Sequence, residues 1–342
     1  MFIPYRVDVE HDNLPWITLA VCALCVFIYF KQSASDDLLL PAARDYCARP
    51  DHPRRFWLTL EKVTGTRERG QCAELLQILH GSGRAEAIIP MLAEQAQAWD
   101  TMSAKQSRNY TTKALTRLEE DFAKSVPPTL TSRLVFDPGK SDISRMFSAA
   151  LAHGSIDHLL GNLFFFVAFA VLVETVVGPV YYVLLLLELA FGTHLAYAVS
   201  QVAQHSAVPT LGLSGVVSGM IGLFAYLAPT MRIRCFAFFI VFWRTFAVPA
   251  WILAAWFVGW DVFNLLNDKG ASNVNFVAHV SGAAIGYLTG VACFHSERER
   301  IRALMNGLSP ATYRGRAQGG ARNTNGSRRP TPTSRSAARP RR

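Results

Sequence analysis

The chain has 342 residues, 51% of them hydrophobic and only 17% charged, and carries a formal net charge of +9. So apolar a composition excludes an ordinary soluble enzyme and a disordered chain, and assigns much of the protein to lipid. The charge is local: residues 297–342 hold twelve arginines against two acids, so the remainder is close to neutral.

A membrane crossing needs about 20 apolar residues, fewer where the flanks reach the interface. Six segments are candidates. The first runs from Leu14 to Phe30, with Trp16, Tyr29 and Phe30 at its edges, where aromatic rings favour the headgroup region. No cleavage site of small residues follows it, so it reads as a retained helix rather than a removed signal peptide. Residues 31–146 then read as a soluble, helical insertion, with the apolar runs Leu75, Leu76, Ile78, Leu79 and Ile88, Ile89, Met91, Leu92. It is expected outside the cytoplasm, where its two cysteines, Cys47 and Cys72, are a candidate disulfide pair. It carries no catalytic pattern and reads as a folded spacer or as a substrate-binding or regulatory domain. Pro127, Pro128, Asp137, Pro138 and Gly139 mark the way back to the membrane.

Later spans run from His158 to Val177, from Tyr181 to Val199, and from Gly212 to Leu227, the last short and rich in glycine. The apolar stretch from Phe236 to Leu266 is too long for one crossing and is divided by Arg244 and Pro249. It reads as an interfacial or re-entrant piece, Cys235 to Phe246, followed by a fifth span, Val248 to Leu266. Val277 to Phe294 is the sixth. Cys22, Cys25, Cys235 and Cys293 lie in or beside these apolar segments as small hydrophobes. An even number of spans puts both termini on one side. Arg232, Arg234 and the basic tail make that side cytoplasmic, because short cytoplasmic loops are enriched in Lys and Arg. The tail, residues 297–342, reads as disordered and as an anchor to anionic lipid, with no nucleic-acid partner expected.

Strongly polar residues inside spans are costly and count as functional candidates. His158 and Asn162 stand one turn apart on one helical face, with His153 just before them. Gly212, Leu213, Ser214 and Gly215 open the fourth span, followed by Ser218 and Gly219. Ala278 and His279 open the sixth, followed by Gly282 and Gly286. All three groups begin helices entering from the same side, so they meet at similar depth. Gly215 with Gly219, and Gly282 with Gly286, have the four-residue spacing that lets membrane helices approach closely. That approach brings an imidazole to a hydroxyl, and a serine needs such a base to become a nucleophile. His158, Asn162 and the backbone N–H of Ser214 are suitable donors to a carbonyl oxygen that gains charge.

These three motifs, in this order, resemble the rhomboid family of intramembrane serine proteases. The likeness runs from about Arg145 to Phe294. It implies an all-α polytopic membrane protein, a six-transmembrane-helix bundle with an extra soluble helical insertion. The corresponding division is a cytoplasmic flank over 1–14, a first membrane helix over 15–30, the insertion over 31–146, a core over 147–296 and the tail over 297–342. The resemblance makes Ser214 the nucleophile and His279 the base of a two-residue dyad, with His158 and Asn162 supporting the oxyanion and His153 near the site. Arg145 and Glu174 match residues that are structural in the family. Two departures stand out: Ser218 occupies a place where well-studied bacterial members carry an aromatic ring stacked on the histidine, and Ser144 replaces a tryptophan.

The implied reaction is hydrolysis of peptide bonds in or near the transmembrane segments of other membrane proteins, without metal or cofactor, in a bacterial inner membrane. Residues 251–260 would form a lateral gate and residues 261–275 a cap. The rival readings are an inactive relative that binds transmembrane clients and a small-solute transporter. The latter predicts inverted repeats, which the sequence lacks. No His-Glu-x-x-His string indicates zinc, and Asp261 is the only carboxylate near the middle of the last spans, so there is no aspartate pair.

Overall fold

In the computed structural model the described residues are 2–7, 14–81, 83, 85–140, 142–203, 208–239, 242–267, 274–296 and 298–305. The chain starts with strand β1 (Phe2–Val7) and enters the membrane as α1 (Trp16–Asp36). This helix outlasts its apolar run by a turn and a half. Pro15 precedes it without a side-chain cap of its own. The cap comes from far away, because Glu174 accepts from the backbone N–H groups of Ile17 (3.0 Å) and Thr18 (2.8 Å) and from Thr18 Oγ1 (2.6 Å). A carboxylate on the positive end of a helix satisfies orphan donors and complements the dipole.

The insertion is five helices around their own core: α2 (Leu39–Ala48), α3 (Arg54–Thr64), α4 (Arg69–Gly81), α5 (Ala85–Gln95) and α6 (Ala104–Ser125). Leu60, Leu76, Leu79, Leu115 and Phe122 are fully enclosed in it. Four apolar residues in five cannot share one face of a helix, and Ile78 and Met91 accordingly point outward. A disulfide between Cys47 and Cys72 ties α2 to α4 with a Cα–Cα distance of 6.1 Å. Ser103 and Gln106 form a reciprocal capping box that starts α6. Polar groups in this core find partners: His80 Nδ1 meets Glu119 Oε1 at 3.1 Å and Tyr46 donates to Asp121 at 2.9 Å.

The return path is stitched to the far end of α1. In α7 (Leu130–Leu134), the N–H of Leu130 donates to Ser35 and the hydroxyl of Thr131 donates to Asp36. Next come α8 (Ser144–Leu151), α9 (Ile156–Val177), α10 (Pro179–Ala203) and α11 (Ser214–Leu227).

The piece read as interfacial or re-entrant is a β-hairpin, β2 (Arg232–Phe239) and β3 (Phe242–Pro249), and β1 adds to it in the antiparallel order β1-β2-β3. Ile233 and Cys235 are buried while Arg232 and Arg234 are exposed, the period-2 alternation of a one-sided strand. The chain finishes with α12 (Ala250–Asn267), α13 (Phe276–Phe294) and α14 (Arg298–Met305).

Among the described residues five helices, counting the one that begins at Trp16, are long and apolar enough to cross a membrane, and α11 is a shorter apolar one. The protein is therefore an all-α polytopic membrane protein with a small sheet at one end of its bundle. In α14, Arg298 and Arg302 donate to the carbonyls of Tyr226 (3.1 Å) and Leu227 (2.9 Å), so two arginines of the basic segment terminate α11. The rest of the predicted tail, 306–342, lies outside the described residues, as do residues 268–273 of the predicted cap. Residues 261–267 of that cap continue α12 as helix.

Candidate active site

The site forms at the end of the bundle opposite the sheet, where α9, α11 and α13 begin. Each start is set locally. Ser155 caps α9 by accepting from the N–H of His158 (3.2 Å), and Asn275 caps α13 by accepting from the N–H of Ala278 (3.0 Å). The Asn275 amide also donates to Thr210 Oγ1 at 3.0 Å, which ties the start of α13 to the segment leading into α11. That segment is anchored by paired backbone bonds between Phe136 and Thr210 (2.8 and 2.9 Å) and by Gly212 N–H donating to Ala149 O at 2.8 Å.

Gly212 has φ +126°, in the region that favours glycine, and a Cβ there would stand 2.8 Å from the ring of His158 and 3.6 Å from the Asn162 amide nitrogen. The backbone before Ser214 thus lies directly against the His158 and Asn162 face of α9.

Depth is fixed by the glycines. On α13, a Cβ at Gly282 would strike the carbonyl of Gly215, and one at Gly286 would strike the carbonyl of Gly219; on α11, a Cβ at Gly222 would strike the carbonyl of Ala283. The two backbones touch along this seam, as small-residue membrane packing requires. Gly215 and Gly219 also fit against Thr193 and Leu189 of α10. The contact of Gly215 with Gly282 sets Ser214 and His279 at one level. Both are half-buried, as is Ser218 one turn on. The two side chains share no hydrogen bond among the described residues.

His279 is engaged elsewhere: its Nδ1 stands 3.2 Å from Asp261 Oδ2 of α12. The sequence motifs do not single out this carboxylate as a site residue, because it falls at the start of the predicted cap and has no aspartate partner in the last spans. Asn275 was missed as well, although an Asn four residues before a candidate base is a recognisable N-cap signal.

His153 packs its ring edge-on to His158 with centroids 5.2 Å apart, and its backbone N–H donates to Gln32 of α1 at 3.1 Å. Burial, and after it the neighbouring His158, pushes His153 down to about 4, against the pull of the Leu151 carbonyl. It is a neutral ring at pH 7. Two buried polar atoms here have no partner among the described residues, His153 Nε2 and Asn162 Nδ2. The first-turn N–H groups of α11 have no side-chain cap either. The Asn162 amide and the first-turn N–H groups of α11 are thus donors without an acceptor, whereas His153 Nε2, in a neutral ring whose Nδ1–H donates to Leu151 O, is an unpaired acceptor.

The other predicted residues lie away from this cluster. Arg145 bonds Asp142 (3.0 Å) and the carbonyl of Ser132 (3.2 Å), and Glu174 caps α1 at the far end of the bundle. Cys47 and Cys72 lie in the helical insertion. No group of three or more His, Cys, Asp or Glu that could hold a metal occurs among the described residues.

A membrane bundle that gathers serine, histidine and unpaired donors at the starts of three helices belongs to the class of polytopic proteins with a polar intramembrane site. Residues 140–296 match the Rhomboid domain, which supports the rhomboid family for this part of the chain. No curated protein matches the chain.

Proposed function

We propose that this protein is an intramembrane serine endopeptidase in which Ser214 is the nucleophile and His279 the general base. The observation that carries the reading is the unpaired Asn162 amide. A buried donor left without an acceptor is costly and rare, and it lies against the backbone that leads into Ser214. A carbonyl oxygen that becomes an oxyanion is the acceptor this donor fits, together with His158 and the uncapped first turn of α11.

In the reaction, Ser214 Oγ bonds to the scissile carbonyl carbon as its proton passes to His279, and the carbonyl electron pair moves onto oxygen. Collapse breaks the C–N bond, and the departing amine takes the proton from His279. Water then hydrolyses the acyl-enzyme, with His279 again as base. The peptide must be locally extended to be attacked, because an intact helix keeps its carbonyls in hydrogen bonds. Substrates are transmembrane segments of other membrane proteins, cut near the end of the bundle where the three helices begin. That end faces away from the cytoplasm of a bacterial inner membrane, and both termini are cytoplasmic. The pairing of β1 with β2, which carries Arg232 and Arg234, supports this orientation.

The test is cleavage of a reporter transmembrane protein by purified protein in bilayers, for wild type, Ser214→Ala and His279→Ala. Cutting by wild type alone, with both variants folded, is the expected result. Cutting that persists in Ser214→Ala refutes the assignment, and a folded wild type that binds reporter without cutting it favours an inactive, client-binding relative.

A further inference from the structure

Asp261 is the only charged residue of α12, a helix whose Trp256, Trp260, Phe263 and Leu266 are exposed toward lipid. A carboxylate at such a position is expensive unless it turns inward to a partner. Its side chain is 17% exposed, and its one hydrogen-bond partner among the described residues is His279 Nδ1 at 3.2 Å. An ionised carboxylate only accepts, so Nδ1 carries the hydrogen and donates it to Oδ2. Imidazole has two ring nitrogens, and fixing the hydrogen on Nδ1 leaves the lone pair on Nε2, across the ring from Asp261. No hydrogen bond occupies Nε2 among the described residues. That nitrogen is the one available to take the proton of Ser214.

We infer that Asp261 is a positioning residue for His279, a third member that holds the base in its productive tautomer and offsets the charge it acquires. This rests on the protease reading above. The Ser214 proton stops at Nε2, and the carboxylate stabilises the resulting imidazolium across Nδ1–H. The contact also explains how His279 is held when the residue one turn after the nucleophile is Ser218, whose hydroxymethyl is too small to cover an imidazole. The restraint comes from α12, within the ring plane, in place of a ring stacked from α11. An attraction that merely glued α12 to α13 would need no particular nitrogen, whereas orientation of a base depends on charge and tautomer.

The experiment uses the full chain in bilayers and compares wild type, Asp261→Asn and Asp261→Glu by steady-state cleavage of the reporter and by the rate of fluorophosphonate labelling. Asparagine preserves size and can still accept from Nδ1–H, so a packing role survives it. The inference predicts that Asp261→Asn lowers kcat on the order of 10- to 100-fold with KM within about twofold, slows labelling in parallel, and leaves thermal unfolding unchanged. Asp261→Glu restores part of kcat because the charge returns. Wild-type rates in Asp261→Asn overturn the inference and leave the protease reading intact. So does a loss carried by KM or by lowered thermal stability in both variants. A wild type without Ser214-dependent cleavage strikes the protease reading itself.

Discussion

Two buried histidines show how differently the two halves of this molecule treat polar groups. His80, in the helical insertion, meets Glu119 at one ring nitrogen and the carbonyl of Pro127 at the other. His153, at the site end of the bundle, has a carbonyl for Nδ1 and no partner for Nε2 among the described residues. The Glu119 bond first, and the Pro127 carbonyl after it, hold His80 above the ordinary imidazole range despite its burial, whereas burial pushes His153 down to about 4. The helices α2–α6 leave no buried side-chain polar atom without a partner among their described residues. The site end leaves the Asn162 amide without an acceptor among the described residues, and the proposed oxyanion is the group that would engage it.

The contrast breaks most completely at the glycine seam. Gly286→Leu places a side chain against the Gly219 carbonyl, which belongs to backbone and cannot give way. A loss of more than about 4 kcal/mol is expected, seen as absence of a folded, monodisperse species in detergent, with the insertion still helical. A smaller blow falls on the other half. Replacing both Cys47 and Cys72 by alanine removes a link across 25 residues of sequence, and should cost the insertion roughly 3 kcal/mol. Limited proteolysis would detect the loosening, while labelling at Ser214 persists.

Glu174 sharpens the comparison, since it is a buried carboxylate of the bundle that is fully spent on structure. Glu174→Ala strands the N–H groups of Ile17 and Thr18 and should destabilise by about 2 kcal/mol, measured as a lowered unfolding midpoint without change in the labelling rate of the folded fraction.

The two histidines give the smallest effects, of opposite sign. Because the folded value of His153 lies below its unfolded 6.5, its neutral form contributes stability that is fully present above that value and is lost as pH falls toward about 4. His80, raised, contributes stability that is present below its unfolded value and is lost as pH rises through the folded one. Thermal unfolding across pH 4–8 should therefore flatten on the acid side in His153→Gln and on the neutral side in His80→Gln.

Ser214, His279, His158 and Asn162 were legible because hydroxyl, imidazole and amide groups stand out in apolar helices, and because glycines four apart announce a close approach. Other features lay beyond the reach of pattern. The alternation of Ile233 and Cys235 with Arg232 and Arg234 is a strand signal, but it opens a long apolar run that masks it. Asp261 lies 18 residues from His279, and their pairing depends on how α12 rotates against α13, which a single helix's sequence does not state. The bond from Asn275 to Thr210 and the capping of α11 by Arg298 and Arg302 are contacts between elements distant in sequence. The same physics reads Ile78 and Met91 outward only once the neighbouring helices are in place.

The central claim is that the unpaired donors serve a serine nucleophile. Its most direct test is fluorophosphonate labelling of the full chain in bilayers, with the modified residue located by peptide mass for wild type, His279→Ala and Asn162→Ala. The account predicts a single label on Ser214, lost in His279→Ala and formed at least tenfold more slowly in Asn162→Ala. A label on another residue, or an Asn162→Ala variant that reacts as fast as wild type, would contradict it.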